Sequence, residues 1–128
     1  VSLIRVLVID DNADWRAHAE SVLNSRGLME IDTASTGLDG VRKAAALKPD
    51  LVVLGIGLTD VSGLEAARRI RSVSPQSRLL LVSAHEDPGV IAAAAAIVRC
   101  AFAIKSRADY ELPLAVTLAI LDQLPPRH

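Results

Sequence analysis

Aromatic side chains are nearly missing: one Trp, one Tyr and one Phe make up 2% of the 128 residues, so any core must be aliphatic. The single cysteine, Cys100, excludes an internal disulfide and suits the cytosol. No apolar run approaches the ~20 residues of a membrane span. The first apolar stretch, residues 3–9, is interrupted by Arg5 and ends in acids, unlike a secretory leader. Neither sign of charge dominates: 14 basic residues face 15 acidic ones, a net charge of −1, which is no nucleic-acid footprint. What is present is a 51% apolar chain of single-domain length, which excludes disorder. It opens on Val1 and closes near Pro125-Pro126. It reads as one domain over residues 1–124, with 125–128 a tail or the start of a linker in a longer protein; a processed complete chain is the alternative.

Five short apolar runs alternate with amphipathic segments. The runs are residues 5–9 (RVLVI), 30–34 (EIDTA), 51–54 (LVVL), 78–82 (RLLLV) and 101–104 (AFAI). The first, third and fourth are continuous, as in central strands covered on both faces. Trp15, Ala19, Val22 and Leu23 share one helix face, with Gly27 as the stop. Leu38, Val41 and Ala45 make a second helix closed by Pro49, and Leu64, Ala67 and Ile70 a third closed by Ser74-Pro75. An alanine-rich fourth is expected over residues 90–98, and Leu114, Leu118 and Leu121 mark a fifth. Pro113 leaves two starts for that last helix: a capping box of Ser106 and Asp109, which puts proline inside the helix, or a start near Glu111. Strand–helix repeated five times predicts an α/β, doubly wound, parallel five-stranded sheet with right-handed crossovers.

Chemistry in such folds gathers at the carboxyl ends of the strands. Those ends carry Asp10-Asp11, Gly55-Ile56-Gly57, Ser83-Ala84 and Lys105-Ser106. Two adjacent carboxylates repel and call for a cation, and an oxygen-rich pocket of this kind suits Mg²⁺. Lys105 can supply the remaining positive charge, or act only as a salt-bridge partner of Asp10 or Asp11. The plainer reading of Asp10-Asp11 is a helix N-cap pair. His18 and His85 lack metal-ligand spacing, and Trp15 and Cys100 read as packing. Gly55-Ile56-Gly57 is no dinucleotide fingerprint, because Asp60 stands at the third glycine position.

IDDNADWR resembles the acidic turn of response regulator receiver domains, and PDLVVLGIGLTDVSGLEAARRIR is similar to their central PDLVVLDIGLPDxxGLEAARRIR. Ser83-Ala84 stands at the family's Thr/Ser-Ala switch, and AFAIKS resembles GYVVKS. The likeness runs from about residue 3 to residue 124. It implies a flavodoxin-like fold with strand order 2-1-3-4-5, and it implies roles. Asp10, Asp11 and the backbone carbonyl of Gly57 correspond to magnesium ligands. Ser83 and Lys105 correspond to the groups that meet the phosphoryl oxygens, Phe102 to the rotating aromatic switch, and Gly63 to the turn glycine. The implied partners are a cognate kinase or an output domain, and a second copy through the fourth and fifth helices, with no nucleic acid or membrane bound. LEAARRIR is similar to receivers of regulators that carry a DNA-binding domain.

The decisive departure is Gly55, which stands at the phosphoacceptor position. Attack on phosphorus needs a carboxylate there, and glycine has none. Magnesium binding is expected to be weak with one carboxylate fewer. Thr59 replaces a turn proline, Phe102 replaces tyrosine, and Val98-Arg99-Cys100-Ala101 replaces the glycine-containing turn before strand five. The expected function is therefore a cytoplasmic signalling module without catalytic turnover, a natural pseudo-receiver. Two alternatives stay open here: an ordinary phosphorylatable receiver with a deliberate Asp-to-Gly change at residue 55, and a flavodoxin-like small-ligand protein.

Overall fold

The computed structural model describes residues 3–25, 27 and 29–124. The expected tail at 125–128 lies outside them. The elements run β1 (Ile4–Ile9), α1 (Ala13–Asn24), β2 (Met29–Ala34), α2 (Gly37–Leu47), β3 (Leu51–Gly55), α3 (Gly63–Val73), β4 (Arg78–Ser83), α4 (Pro88–Ala95), β5 (Cys100–Ile104) and α5 (Ala108–Asp122). A 3₁₀ turn (Lys105–Arg107) joins β5 to α5. The strands are all parallel in the order β2-β1-β3-β4-β5, the doubly wound order expected.

Strand alternation divides the core into two layers. Val6, Val8, Leu51 and Val53 face α1 and α5, while Leu7, Ile9, Val52 and Leu54 face α2, α3 and α4. Every residue of β3 is buried, which explains a run without polar side chains. Burying a Val or Leu side chain contributes about 1.5–3 kcal/mol. These two layers are overwhelmingly aliphatic; Trp15 is the one buried aromatic among the described residues, in the first layer, and Phe102 packs against the second.

Two helices differ from the sequence reading. The fourth starts earlier and ends sooner than residues 90–98. Asp87 caps it, its Oδ1 accepting from Gly89 and Val90 N–H at 2.9 and 3.2 Å, and Pro88 takes the first turn. It stops at Ala95 because the chain must turn into β5, and Arg99 makes that turn at φ 54, within the segment that stands in place of the family's glycine-containing turn. The fifth helix starts at Ala108 with Pro113 inside it and has no side-chain cap, so the Ser106–Asp109 capping box does not form. Its buried face is Ala108, Leu112, Ala115, Val116 and Ala119. The expected stripe points outward: Leu114 is 41% and Leu121 52% exposed. The helix is apolar on two sides, and the alanine-rich side goes inward because small residues let the helix approach the sheet closely.

Away from the strand ends that carry the acids, Arg78 on β4 grips Asp122 at the end of α5 with two bonds, 2.8 and 2.9 Å. That fork holds the Asp122 carboxyl below its ordinary 3.8. A carboxyl depressed by folding adds stability above its unfolded pKa and loses it as pH falls through the folded value. Asp122→Asn is therefore expected to cost about 1 kcal/mol at pH 7. Its deficit against the parent should shrink below about pH 4, as urea melts at several pH values will show.

Candidate functional site

The doubly wound order brings four strand ends together around a cleft of about 250 Å³ lined by Asp10, Asp11, Ile56, Gly57, Val82, Ser83, Ala84 and Lys105. Five residues singled out from sequence thus share one wall-to-wall site. Gly55 lies behind it at the end of β3. Phe102 does not line the cleft; it is half-buried and packs against the layer containing Leu79 and Leu81.

The acids are not equivalent. Asp10 is 2% exposed, whereas Asp11 is open to solvent. The N-cap of α1 is neither of them but Asn12, whose side chain accepts the Trp15 N–H at 2.9 Å. The N-cap reading of the acid pair is thereby corrected. Asp10 instead turns its Oδ1 to the Asn12 N–H at 2.9 Å, and its Oδ2 lies 3.0 Å from Lys105 Nζ. Its backbone carbonyl accepts from Arg16 Nη1 at 2.7 Å. A carboxylate this buried needs such partners, since an unpaired buried charge costs several kcal/mol. The salt-bridge reading of Lys105 is realised with Asp10.

Space around residue 55 is already taken. A Cβ built there would lie 2.2 Å from Asp10 Oδ2 and 2.9 Å from its Cγ. The donor set therefore does not fit a tight magnesium site: one carboxylate is committed to Lys105, the other is exposed, and no third lines the cleft among the described residues. Among the described residues, no three His, Cys, Asp or Glu side chains gather where they could hold a metal ion.

Ser83 is half-buried, and its Oγ accepts the His85 N–H at 3.3 Å. The loop between β3 and α3, where Thr59 replaces a turn proline, is tied down. Asp60 Oδ1 and Oδ2 accept the Gly37 and Leu38 N–H groups at 2.9 and 2.8 Å. Those bonds hold the Asp60 carboxyl below the usual carboxylate range. Gly63 N–H closes the loop on the Ile56 carbonyl at 2.9 Å. Sequence reading gave Asp60 no role; its partners lie 22 and 23 residues away, and only a lone Asp next to an absent proline marked the place.

His18 meets Asp109 at 3.4 Å and His85 is exposed, so neither faces a ligand set. Cys100 is half-buried, and burial pushes its thiol up to about 11, which leaves it inert at neutral pH.

Residues 6–116 match the model of the response regulator receiver domain. The chain belongs to that family. A protein-glutamate methylesterase/protein-glutamine glutaminase of Vibrio parahaemolyticus is 38% identical to this receiver over 85 residues, 66% of this chain and 23% of that protein. A Myxococcus xanthus protein of the same description is 38% identical over 96 residues, 74% of this chain and 28% of its own length. The receiver thus spans about a quarter of these curated relatives. The response regulator domain of Thermotoga maritima CheB superposes with a TM-score of 0.80 at 27% identity, over 97% of this chain and 99% of that one. A LuxR-family response regulator from an Aurantimonas species shares the fold, with a TM-score of 0.84 at 22% identity over 94% of this chain and 86% of its own. Receiver membership replaces the small-ligand alternative.

Proposed function

We propose that this receiver takes up no phosphoryl group and signals by docking to other proteins. The observation that carries the reading is Gly55: a hydrogen stands where the nucleophile belongs, and the Asp10 carboxylate occupies the room a side chain would need. Ser83 and Lys105 keep the positions of phosphoryl-contact groups, and Phe102 keeps that of the aromatic switch. Receiver domains in general bind Mg²⁺ at this place. Here Asp10, Asp11 and the Gly57 carbonyl would be its ligands, and the commitment of Asp10 to Lys105 makes the binding weak.

The domain is a regulatory module without turnover of its own; the methylesterases it resembles match it over only about a quarter of their length. Its partners are a kinase or an output domain, and a second copy through α4 and α5. Support for the last comes from apolar side chains left in solvent there, Ile91 on α4 and Tyr110, Leu114 and Leu121 on α5. Among the described residues no helix is long and apolar enough to cross a membrane. The family is consistent with a cytoplasmic site of action.

The test is intact mass after treatment with a small phosphodonor and magnesium. No adduct is expected. A phosphoryl adduct that hydroxylamine removes would overturn the reading and direct attention to Asp10 or Asp11 as acceptor.

A further inference from the structure

Glycine at residue 55 does more than omit a nucleophile. It lets Asp10 lean towards β3, with Oδ2 only 2.2 Å from the point where any side chain at 55 would begin. In that position the carboxylate meets Lys105 Nζ at 3.0 Å. The same Nζ lies 5.1 Å from the centroid of the Trp15 ring, inside the ~6 Å reach of a cation–π contact. Both seats are firm. Asp10 is fixed through Asn12 and Arg16, and Trp15 is 8% exposed in the layer between the sheet and α1. Lys105 itself sits on the turn after β5, on the far side of the cleft from β1.

We propose that Lys105 is the resident counter-cation of this site: Asp10 and Trp15 hold its ammonium where it neutralises the buried carboxylate, and this latch keeps the cleft in one state without magnesium. The proposal rests on the reading of the chain as a receiver without an acceptor, and it names how that receiver is held. A divalent ion entering the cleft must displace an ammonium already in contact with Asp10. What the ion would gain beyond Asp10 is one exposed carboxylate, Asp11, and waters. Tethering the ammonium to the chain makes the competition intramolecular, and the tether always wins at low metal concentration. Trp15 is a positioning residue here: it touches no ligand, but it stops the lysine from swinging into solvent.

Trp15 is the only tryptophan of the chain, so its emission reports the latch directly. Parent, Lys105→Arg and Lys105→Gln are titrated with magnesium and with manganese chloride, following Trp15 emission and melting temperature. The parent and Lys105→Arg are expected to show no change in either signal at millimolar metal. Lys105→Gln strands a buried carboxylate, so it should melt lower without metal, recover with it, and bind manganese at least about tenfold more tightly than the parent. Its emission should differ from the parent's before any metal is added. A parent that binds and is stabilised by metal as well as Lys105→Gln overturns the latch. So does a Lys105→Gln chain with parental emission and no metal response.

Should Lys105→Gln fail to fold, proton NMR of the parent decides. Ring current from Trp15 must shift the Lys105 ε-methylene protons upfield, and millimolar magnesium must leave them in place. Signals at ordinary lysine positions would overturn the proposal. Intact mass after phosphodonor treatment of the same sample separates the two readings. An adduct with unmoved lysine signals refutes the missing acceptor alone. Moved signals without an adduct refute the latch alone.

Discussion

Gly55→Asp is expected to melt about 10 °C lower than the parent in chelator, to recover with millimolar magnesium, and to form a hydroxylamine-labile phosphoryl adduct where the parent is expected to form none. The backbone permits the change: Gly55 is the last residue of β3, and Gly27 is the only described glycine with positive φ. The obstacle is Asp10 Oδ2, 2.2 Å from the new Cβ. That atom is the end of a side chain, so Asp10 can rotate away, but it must then leave Lys105. Two carboxylates then share one ammonium. Like charges about 4 Å apart at an effective dielectric near 20 repel by up to about 4 kcal/mol, part of which the shared Lys105 offsets. A net loss of about 2–3 kcal/mol gives the melting shift above. Magnesium removes the repulsion by binding two acids at once. The new carboxylate oxygen can then attack phosphorus as the donor's leaving group departs, with Lys105 and Ser83 placed for the phosphoryl oxygens. A folded variant that binds magnesium yet forms neither the adduct nor a beryllofluoride complex would show that the loop after β3 no longer aims an acceptor correctly.

The central strands β1, β3 and β4 were readable because each is a short, buried aliphatic run, whereas β2 and β5 showed only short, half-buried patterns; every strand was still located to within a residue. The cleft was readable for the same reason: in a doubly wound sheet the strand ends converge, so Asp10, Asp11, Gly57, Ser83 and Lys105 had to meet. Helix faces were harder. In α5 a leucine stripe and an alanine-rich stripe compete, and hydrophobicity alone favours the leucines, whereas the closeness of the sheet selects the smaller side chains. The start of α4 was marked by Asp87-Pro88, an ordinary cap signal that the alanine run after it obscured. Contacts between distant elements left no local trace: nothing near Trp15 or Asp60 announces Lys105 or the α2 N-terminus. Gly55 stood out in the sequence as a departure from the family pattern, but that Asp10 takes its room follows only from the side-chain geometry.

Gly63→Ala adds one methyl group and is expected to cost about 3 kcal/mol, lowering the melting temperature by roughly 10 °C. Its Cβ would lie 2.4 Å from the Gly55 carbonyl oxygen and 2.7 Å from Ile56 Cα. Both are backbone atoms, so no rotamer change relieves the contact. Either α3 moves off the sheet or the exit of β3 bends. Moving α3 stretches the Gly63–Ile56 hydrogen bond, 2.9 Å in the parent, and disturbs the packing of the buried Ala66, Ala67 and Ile70 behind it. Bending β3 instead shifts the segment that carries Gly55 and Gly57. Gly57→Ala is the control: its Cβ meets nothing within 4 Å, so it should stay within about 0.5 kcal/mol of the parent. Urea unfolding of the two variants measures the difference, and equal midpoints would mean that α3 and β3 are packed more loosely than this geometry requires. In a Gly55→Asp background the same methyl group should abolish phosphoryl uptake, although it alters no side chain in the cleft. In-line attack tolerates little displacement of the nucleophile, and Gly63 is the residue against which the backbone of position 55 rests.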